Sequence, residues 1–320
     1  MSRHPRSANN VTRRERTNAI IAGVVLRLGR ARRLPTEPAP RASQQSERSF
    51  RMSSAIADLP TPQAAAAASA PYTLAVDIGG TNVKASVLDA VGELAAQQIR
   101  SPTPKPATPQ AVLDLIGRLA TQLPAFQRIS VGFPGVVRQG QIVTAPNLGT
   151  PHWAGCQLIE ALAERFGVPA RVLNDAAVQG LGVVEGHGLE CVLTLGTGVG
   201  CALFRNRRLL LHLELGQHRM RKGKTYDQYI GQAALAKRGS ARWNRRVRRA
   251  MDTVTSLTCC DVLYVGGGNA RKLTLEAPAH VRIVSNTAGI TGGIRLWDAE
   301  LDELFQGVAM AQASEPVRRT

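Results

Sequence analysis

YTLAVDIGGTNVKASVL, residues 72–88, reads as strand, glycine turn and strand again. Two apolar β-type runs, Thr73–Val76 and Val83–Leu88, flank Asp77-Ile78-Gly79-Gly80-Thr81-Asn82, which is the pattern of a β-hairpin. Adjacent glycines let bare N–H groups approach a ligand, and such groups favour anions. Asp77 at the strand end is placed to hold Mg²⁺ directly or through water, since magnesium takes oxygen ligands and keeps several waters. Thr81, Asn82 and Lys84 add donors for phosphoryl oxygens. A turn that uses Gly-Gly for geometry alone is the competing reading, and the rest of the chain decides between them.

Outward from this hairpin, strand and helix patterns alternate. Val112, Leu113, Leu115, Ile116, Leu119 and Leu123 keep helical spacing. Arg128–Gly132 is a strand ending in Gly132-Phe133-Pro134-Gly135. Leu158, Ile159, Leu162, Ala163 and Phe166 mark another helix, and Arg171–Leu173 is a short strand running into Asn174-Asp175. Cys191–Leu195 and Gly200–Phe204 form a second hairpin around Gly196-Thr197-Gly198. Asp261–Val265 opens onto Gly266-Gly267-Gly268-Asn269, Val281–Ser285 is a further strand, and a closing helix is expected near Asp298–Met310. Alternating strands and helices mean an α/β protein. Strand–D-x-G-G-T–strand at Asp77 recurs as strand–L-G-T-G–strand at Leu195, a weak internal repeat. Two such hairpins facing one another would form two jaws for one polyphosphate chain.

The chain has 320 residues, ample for a buried core, and 44% of them are hydrophobic. No apolar run approaches a membrane span. Five cysteines, Cys156, Cys191, Cys201, Cys259 and Cys260, lack metal spacing, and most of them fit small core hydrophobes in a reducing cytosol. The formal charge of +17 is concentrated in two places. Residues 1–51 carry twelve arginines against three glutamates, 12 − 3 = +9. Residues 219–249 carry eleven Lys and Arg against Asp227, 11 − 1 = +10, which leaves the remainder near −2.

Residues 1–70, rich in Arg, Ser, Pro and Ala, read as a disordered extension. Ala19–Leu28 behind a basic start faintly resembles a signal or transit sequence, but more arginines follow and a small-residue cleavage site is lacking. Translation starting at Met52 is an alternative. Residues 71–174 then form an N-terminal lobe with phosphate and sugar loops, and 175–320 a C-terminal lobe.

The three glycine loops in this order resemble the actin-like ATPase (ribonuclease H-like) fold, two lobes around a cleft, shared by sugar kinases, acetate kinase and heat-shock ATPases. The motifs between them narrow the match. Val131-Gly132-Phe133-Pro134-Gly135-Val136-Val137, Thr144-Ala145-Pro146-Asn147-Leu148 with Trp153, and Leu173-Asn174-Asp175-Ala176 resemble the ROK sugar kinases, and among them the polyphosphate glucokinase branch. The resemblance spans roughly residues 72–310. It implies a cytoplasmic hexose kinase, with glucose as the expected substrate, using polyphosphate, ATP or both with Mg²⁺, and often dimeric.

The resemblance also implies roles. Asp175 matches the general base that takes the hydroxyl proton as the phosphoryl group arrives; capping the helix that follows is its alternative use. Asn147, Asn174 and Glu214 match sugar-binding positions, and Gly132, Phe133 and Gly135 bring main chain close to the sugar. Gly79, Gly80, Gly196, Thr197, Gly198, Gly267 and Gly268 match phosphate or nucleotide contacts. Two departures stand out. Where the family continues E-x-G-H, Gln217 occupies the histidine position and His218 follows, so either could face the sugar. The Cys-rich zinc segment of many members is replaced by residues 219–258 without cysteine, so no zinc is expected.

In the basic segment, Arg242, Arg245, Arg246 and Arg249 fall three or four apart, as a cationic ridge on one helix face would. A solvated basic helix and a track for a long polyanion both fit, because guanidinium groups bind phosphate bidentately. Inorganic polyphosphate fits the resemblance, and nucleic acid fits the electrostatics equally well. Family regulators carry an N-terminal helix-turn-helix that this sequence does not show. A regulatory or non-catalytic sugar-binding protein is therefore the weaker alternative to a kinase.

Overall fold

The computed structural model describes residues 71–306. The extension 1–70, the Met52 start and the last residues of the expected closing helix lie outside them. β1 (Thr73–Ile78) and β2 (Asn82–Leu88) form the expected hairpin, with Asp77 opposite Lys84 and Ile78 opposite Val83. β3 (Ile99–Pro102) adds to the outer edge, while β4 (Arg128–Phe133) and β7 (Ala170–Asn174) extend the other side in parallel. The resulting five-stranded sheet has the order β3-β2-β1-β4-β7.

A second five-stranded sheet repeats the plan. β8 (Leu189–Leu195) and β9 (Val199–Arg205) are its hairpin, β10 (Arg208–Leu213) its edge, and β13 (Val262–Gly266) and β14 (Val281–Ile283) its parallel strands, in the order β10-β9-β8-β13-β14. The faint repeat in sequence is thus a full repeat of strand order and sense. The pairs β5 (Val137–Arg138) with β6 (Gln141–Ile142), and β11 (Arg219–Arg221) with β12 (Lys224–Thr225), stand apart as ribbons.

Each sheet has its own core. In the first, α1 (Pro109–Ala120) buries Val112, Leu115 and Ile116, and α3 (Leu158–Phe166) buries Leu158 and Leu162, after the short α2 (Thr150–Trp153). Thr108 caps α1 by accepting from Ala111 N–H at 3.3 Å, with Pro109 pre-setting its first turn. Phe133 and Trp153 pack at 4.8 Å beneath this sheet. In the second, α7 (Ser240–Thr258) turns Trp243, Val247, Ala250, Met251 and Val254 inward, after α5 (Tyr226–Ile230) and α6 (Gln232–Arg238). Cys191 and Cys201 meet here as free thiols, their sulfurs 3.7 Å apart.

Between the sheets runs α4 (Asp175–Leu181), which packs on α8 (Ala288–Thr291) and on the 3₁₀ segment Gly292–Trp297. The end of the chain differs from expectation. Instead of an α-helix near Asp298–Met310, the described part is 3₁₀, Gly292–Trp297 and then Ala299–Phe305. Side-chain ties explain the tighter winding: Arg295 pairs with Asp298, and Arg171 donates to Leu296 O and Asp302 while lying against the Trp297 and Phe305 rings. No helix among the described residues is long and apolar enough to cross a membrane.

Candidate active site

One cleft, about 520 Å³, is bordered by both glycine hairpins, the triple-glycine loop and the start of α4. The first turn closes with Gly79 N–H donating to Asn82 O at 2.9 Å, and Thr103 braces it through Thr81 O and Gly79 O. The second turn, Gly196–Gly198, comes up against it: the Thr81 and Thr197 hydroxyls are 3.0 Å apart. The two glycine turns face one another, although these two threonines are 116 positions apart in sequence.

Asp175 lies at the floor of this cleft, at the first position of α4. Its neighbour Asn174 performs the capping, accepting from Ala176 N–H at 2.9 Å and Ala177 N–H at 3.3 Å. Capping is therefore Asn174's work, and Asp175 commits only Oδ1, to Ala176 N–H at 2.8 Å. Burial pushes its carboxyl up to about 7, and the charges of Asp77 and Glu214 add to the rise against the pull of backbone N–H groups.

Around it stand further carboxylates. Asp77 Oδ2 receives Lys84 Nζ at 2.6 Å. Burial and the Asp227 charge raise Glu214, which has His212 Nε2 3.7 Å from its Oε1. Asp227, which the sequence offered only as a stray counter-charge, lines the cleft and bonds across the second jaw. Its Oδ1 accepts from Val199 N–H at 2.7 Å and its Oδ2 from Gln217 Nε2 at 2.9 Å. Burial raises its pKa while those two bonds lower it.

The glycines of the second jaw are forced by crowding. A Cβ at Gly198 would lie 2.8 Å from both Asn147 Nδ2 and Asp227 Oδ2. Gly267 has φ +84°, and a Cβ there would meet Leu195 O at 2.6 Å. Asn269 ties the triple-glycine loop to the second jaw, donating from its backbone to Leu195 O at 2.8 Å and from Nδ2 to Gly196 O at 2.9 Å.

Of the residues expected at the site, Asp77, Gly79, Gly80, Thr81, Asn82, Lys84, Asn147, Asp175, Gly196, Thr197, Gly198, Glu214, Gln217, Gly267 and Gly268 line the cleft. Gly132, Phe133 and Asn174 sit behind the lining: Gly132 backs onto the Asp175 Cα, Phe133 is fully buried, and Asn174 braces Gly135 O at 3.1 Å. Between the two candidates at the histidine position, Gln217 lines the cleft, whereas the exposed His218 is absent from its lining.

Arg242, Arg245, Arg246 and Arg249 do lie on one helix, α7, but none lines the cleft. Arg246 stacks on the Tyr229 ring at 4.4 Å and donates to Tyr229 O at 3.1 Å, and Arg249 donates to Tyr229 Oη at 2.9 Å. Two of the four are thus occupied in holding α5 to α7. The cations that do line the cleft besides Lys84 are Arg100, Arg271 and Lys272, which no glycine motif announced.

The ROK family model matches residues 73–216. A polyphosphate glucokinase of Mycobacterium leprae is 33% identical over 236 residues, covering 68% of this chain and 72% of the relative. Its Mycobacterium tuberculosis counterpart is 30% identical over 234 residues, covering 68% and 88%. Among solved structures, the inorganic polyphosphate/ATP-glucomannokinase of Arthrobacter sp. strain KM has a TM-score of 0.64 at 28% identity, over 71% of this chain and 97% of its own. A ROK family glucokinase from Streptomyces griseus shares the fold at a TM-score of 0.60 and 21% identity, over 70% and 98%. The expected actin-like α/β fold is therefore the observed one, and with two thirds of its length aligned to these relatives the chain belongs to the ROK family.

Proposed function

We propose that this chain is a hexokinase-type phosphotransferase, moving the terminal phosphoryl group of polyphosphate or ATP onto a hexose, with glucose to glucose 6-phosphate as the expected reaction. The carrying observation is Asp175: a carboxylate poised near neutrality, with one oxygen uncommitted, in the cleft where two glycine turns converge. A hexose hydroxyl is a weak nucleophile, and a base with a pKa near working pH takes its proton most effectively as the new P–O bond forms. Glu214, Asn147 and Gln217 offer acceptors and donors to the remaining hydroxyls. The glycine turns and Lys84 present N–H groups to the donor's phosphates, so that positioning and charge neutralisation supply most of the acceleration.

Magnesium fits this site. Asp77 lines the cleft with Oδ1 uncommitted, and the ion is commonly held by one or two carboxylates plus substrate phosphates. Bound there, it would neutralise charge on the phosphates. The free thiols of the core suit the reducing cytoplasm.

Glucose phosphorylation measured with ATP and with long-chain polyphosphate, each with Mg²⁺, tests the reading. Asp175→Asn should lower kcat by on the order of 10²–10⁴ while the sugar KM changes little. Near-full activity in that variant refutes the assignment. Silence of the wild type with both donors across a panel of hexoses would leave the non-catalytic sugar-binding alternative.

A further inference from the structure

The donor end of the cleft differs in chemistry from a nucleoside pocket. Apart from glycine, its apolar lining residues are Pro134, Pro146 and Val199, the last at the start of β9. From Gly267 to Gly289 the wall offers Gly267, Gly268, Asn269, Arg271, Lys272, Asn286 and Gly289, none of them an aromatic or aliphatic residue. A base normally buries its faces against apolar side chains.

What this wall does offer is cationic. Arg271 and Lys272 follow the triple-glycine loop in the turn Ala270–Lys272, and Arg100 stands opposite on β3 of the other sheet. All three are exposed, line the same cleft, and form no ion pair among the described residues. Their platform is firm. Asn269 anchors the turn to the second jaw, and Asn244 of α7 donates to Lys272 O at 3.1 Å while accepting from Thr274 N–H at 2.8 Å.

Resting on the sugar-kinase reading, we propose that Arg271 and Lys272 on one lobe, with Arg100 on the other, are the donor-specificity residues. They take the inner phosphates of a linear inorganic polyphosphate where ATP would carry its nucleoside. In the transfer, the hexose oxygen bonds to the terminal phosphorus and the terminal P–O–P bridge breaks. The bridging oxygen leaves with the electron pair on a chain one phosphate shorter, and the hydroxyl proton passes to Asp175. Guanidinium and ammonium groups beyond the reacting phosphate hold the departing chain without touching the chemistry.

The test compares long-chain polyphosphate, tripolyphosphate and ATP as donors for the wild type, Arg100→Ala, Arg271→Ala/Lys272→Ala and, on α7, Arg242→Ala/Arg245→Ala. The Arg271/Lys272 variant should raise the long-chain KM roughly tenfold or more, with a several-fold smaller rise for tripolyphosphate and ATP. Arg100→Ala should act in the same direction, and the α7 variant should leave the long-chain KM near wild type. Equal losses for all three donors, or a long-chain loss confined to the α7 variant, would overturn the assignment. Equilibrium titration of the same proteins with long-chain polyphosphate, without sugar, separates the two readings. If turnover is absent with every hexose yet wild-type binding weakens in the Arg271/Lys272 variant, the kinase reading falls and the cation site stands. Unchanged binding in that variant sinks the inference alone.

Discussion

At Asp175 a single carboxyl does two opposed things to the molecule. Its pKa of about 7 places half-ionisation at neutral pH, so kcat/KM should rise with pH through about 7 and level off above it. The same shift costs stability. An unfolded aspartate loses its proton near pH ~4, while the folded one holds it to about 7, so between those values the native state binds more protons. Wild-type stability therefore falls as pH rises across that window. Asp175→Asn, free of this penalty, should be more stable than wild type at pH 8 by on the order of 1–3 kcal/mol, a gap that closes towards pH 4. Urea denaturation at the two pH values checks it; a variant no more stable at pH 8 than at pH 4, relative to wild type, would contradict the buried-carboxyl account. Asp175 was legible in sequence through the resemblance of Leu173-Asn174-Asp175-Ala176 to the ROK sugar kinases. Which of the two capped α4 was not, since both side chains cap well and only the backbone geometry at position 174 decides.

At the scale of the element, both glycine hairpins were readable because strand–glycine–strand is a local pattern. β3 and β10 were not: β3 is four residues, Ile-Arg-Ser-Pro, none of them fully buried, and β10 exposes Leu210, Leu211 and Leu213, so neither carries a buried apolar face to read. The basic helix was readable from its spacing, but its orientation was set by Tyr229 and Trp243, and Trp243 is buried with its Nε1–H given to Ile230 O at 2.7 Å. Asp227 escaped notice for a related reason, since its partner Val199 lies 28 residues away in sequence. The crowding at the second jaw gives an expected outcome. Gly198→Ala would force Asn147 or Asp227 aside and should cost about 1–3 kcal/mol of stability. It should also raise the KM for both sugar and donor, because the displaced side chain lines the cleft and the turn beside it must shift. Thermal unfolding and steady-state kinetics measure both effects, and a variant normal in each would mean that the turn yields more readily than its crowding suggests.

For the whole molecule, charge and chemistry are separable. Of the formal +17, residues 1–51 contribute +9, so a chain starting at Met52 carries 17 − 9 = +8. Such a chain should leave a heparin column at lower salt than the full chain, because fewer arginines remain to displace the counterions of the polyanion, with its sugar phosphorylation unaltered. Identical elution would show that the arginine-rich start adds nothing to polyanion binding. The duplicated strand order carries a different consequence. Both halves descend to their last parallel strand in the same way, yet after β7 the chain places an acid, Asp175, and after β14 it places Asn286 and Thr287. Two copies of one architecture have been given unequal duties. One strand plan thus ends once on a carboxylate and once on an amide and a hydroxyl, so symmetry of backbone does not carry over into symmetry of chemistry.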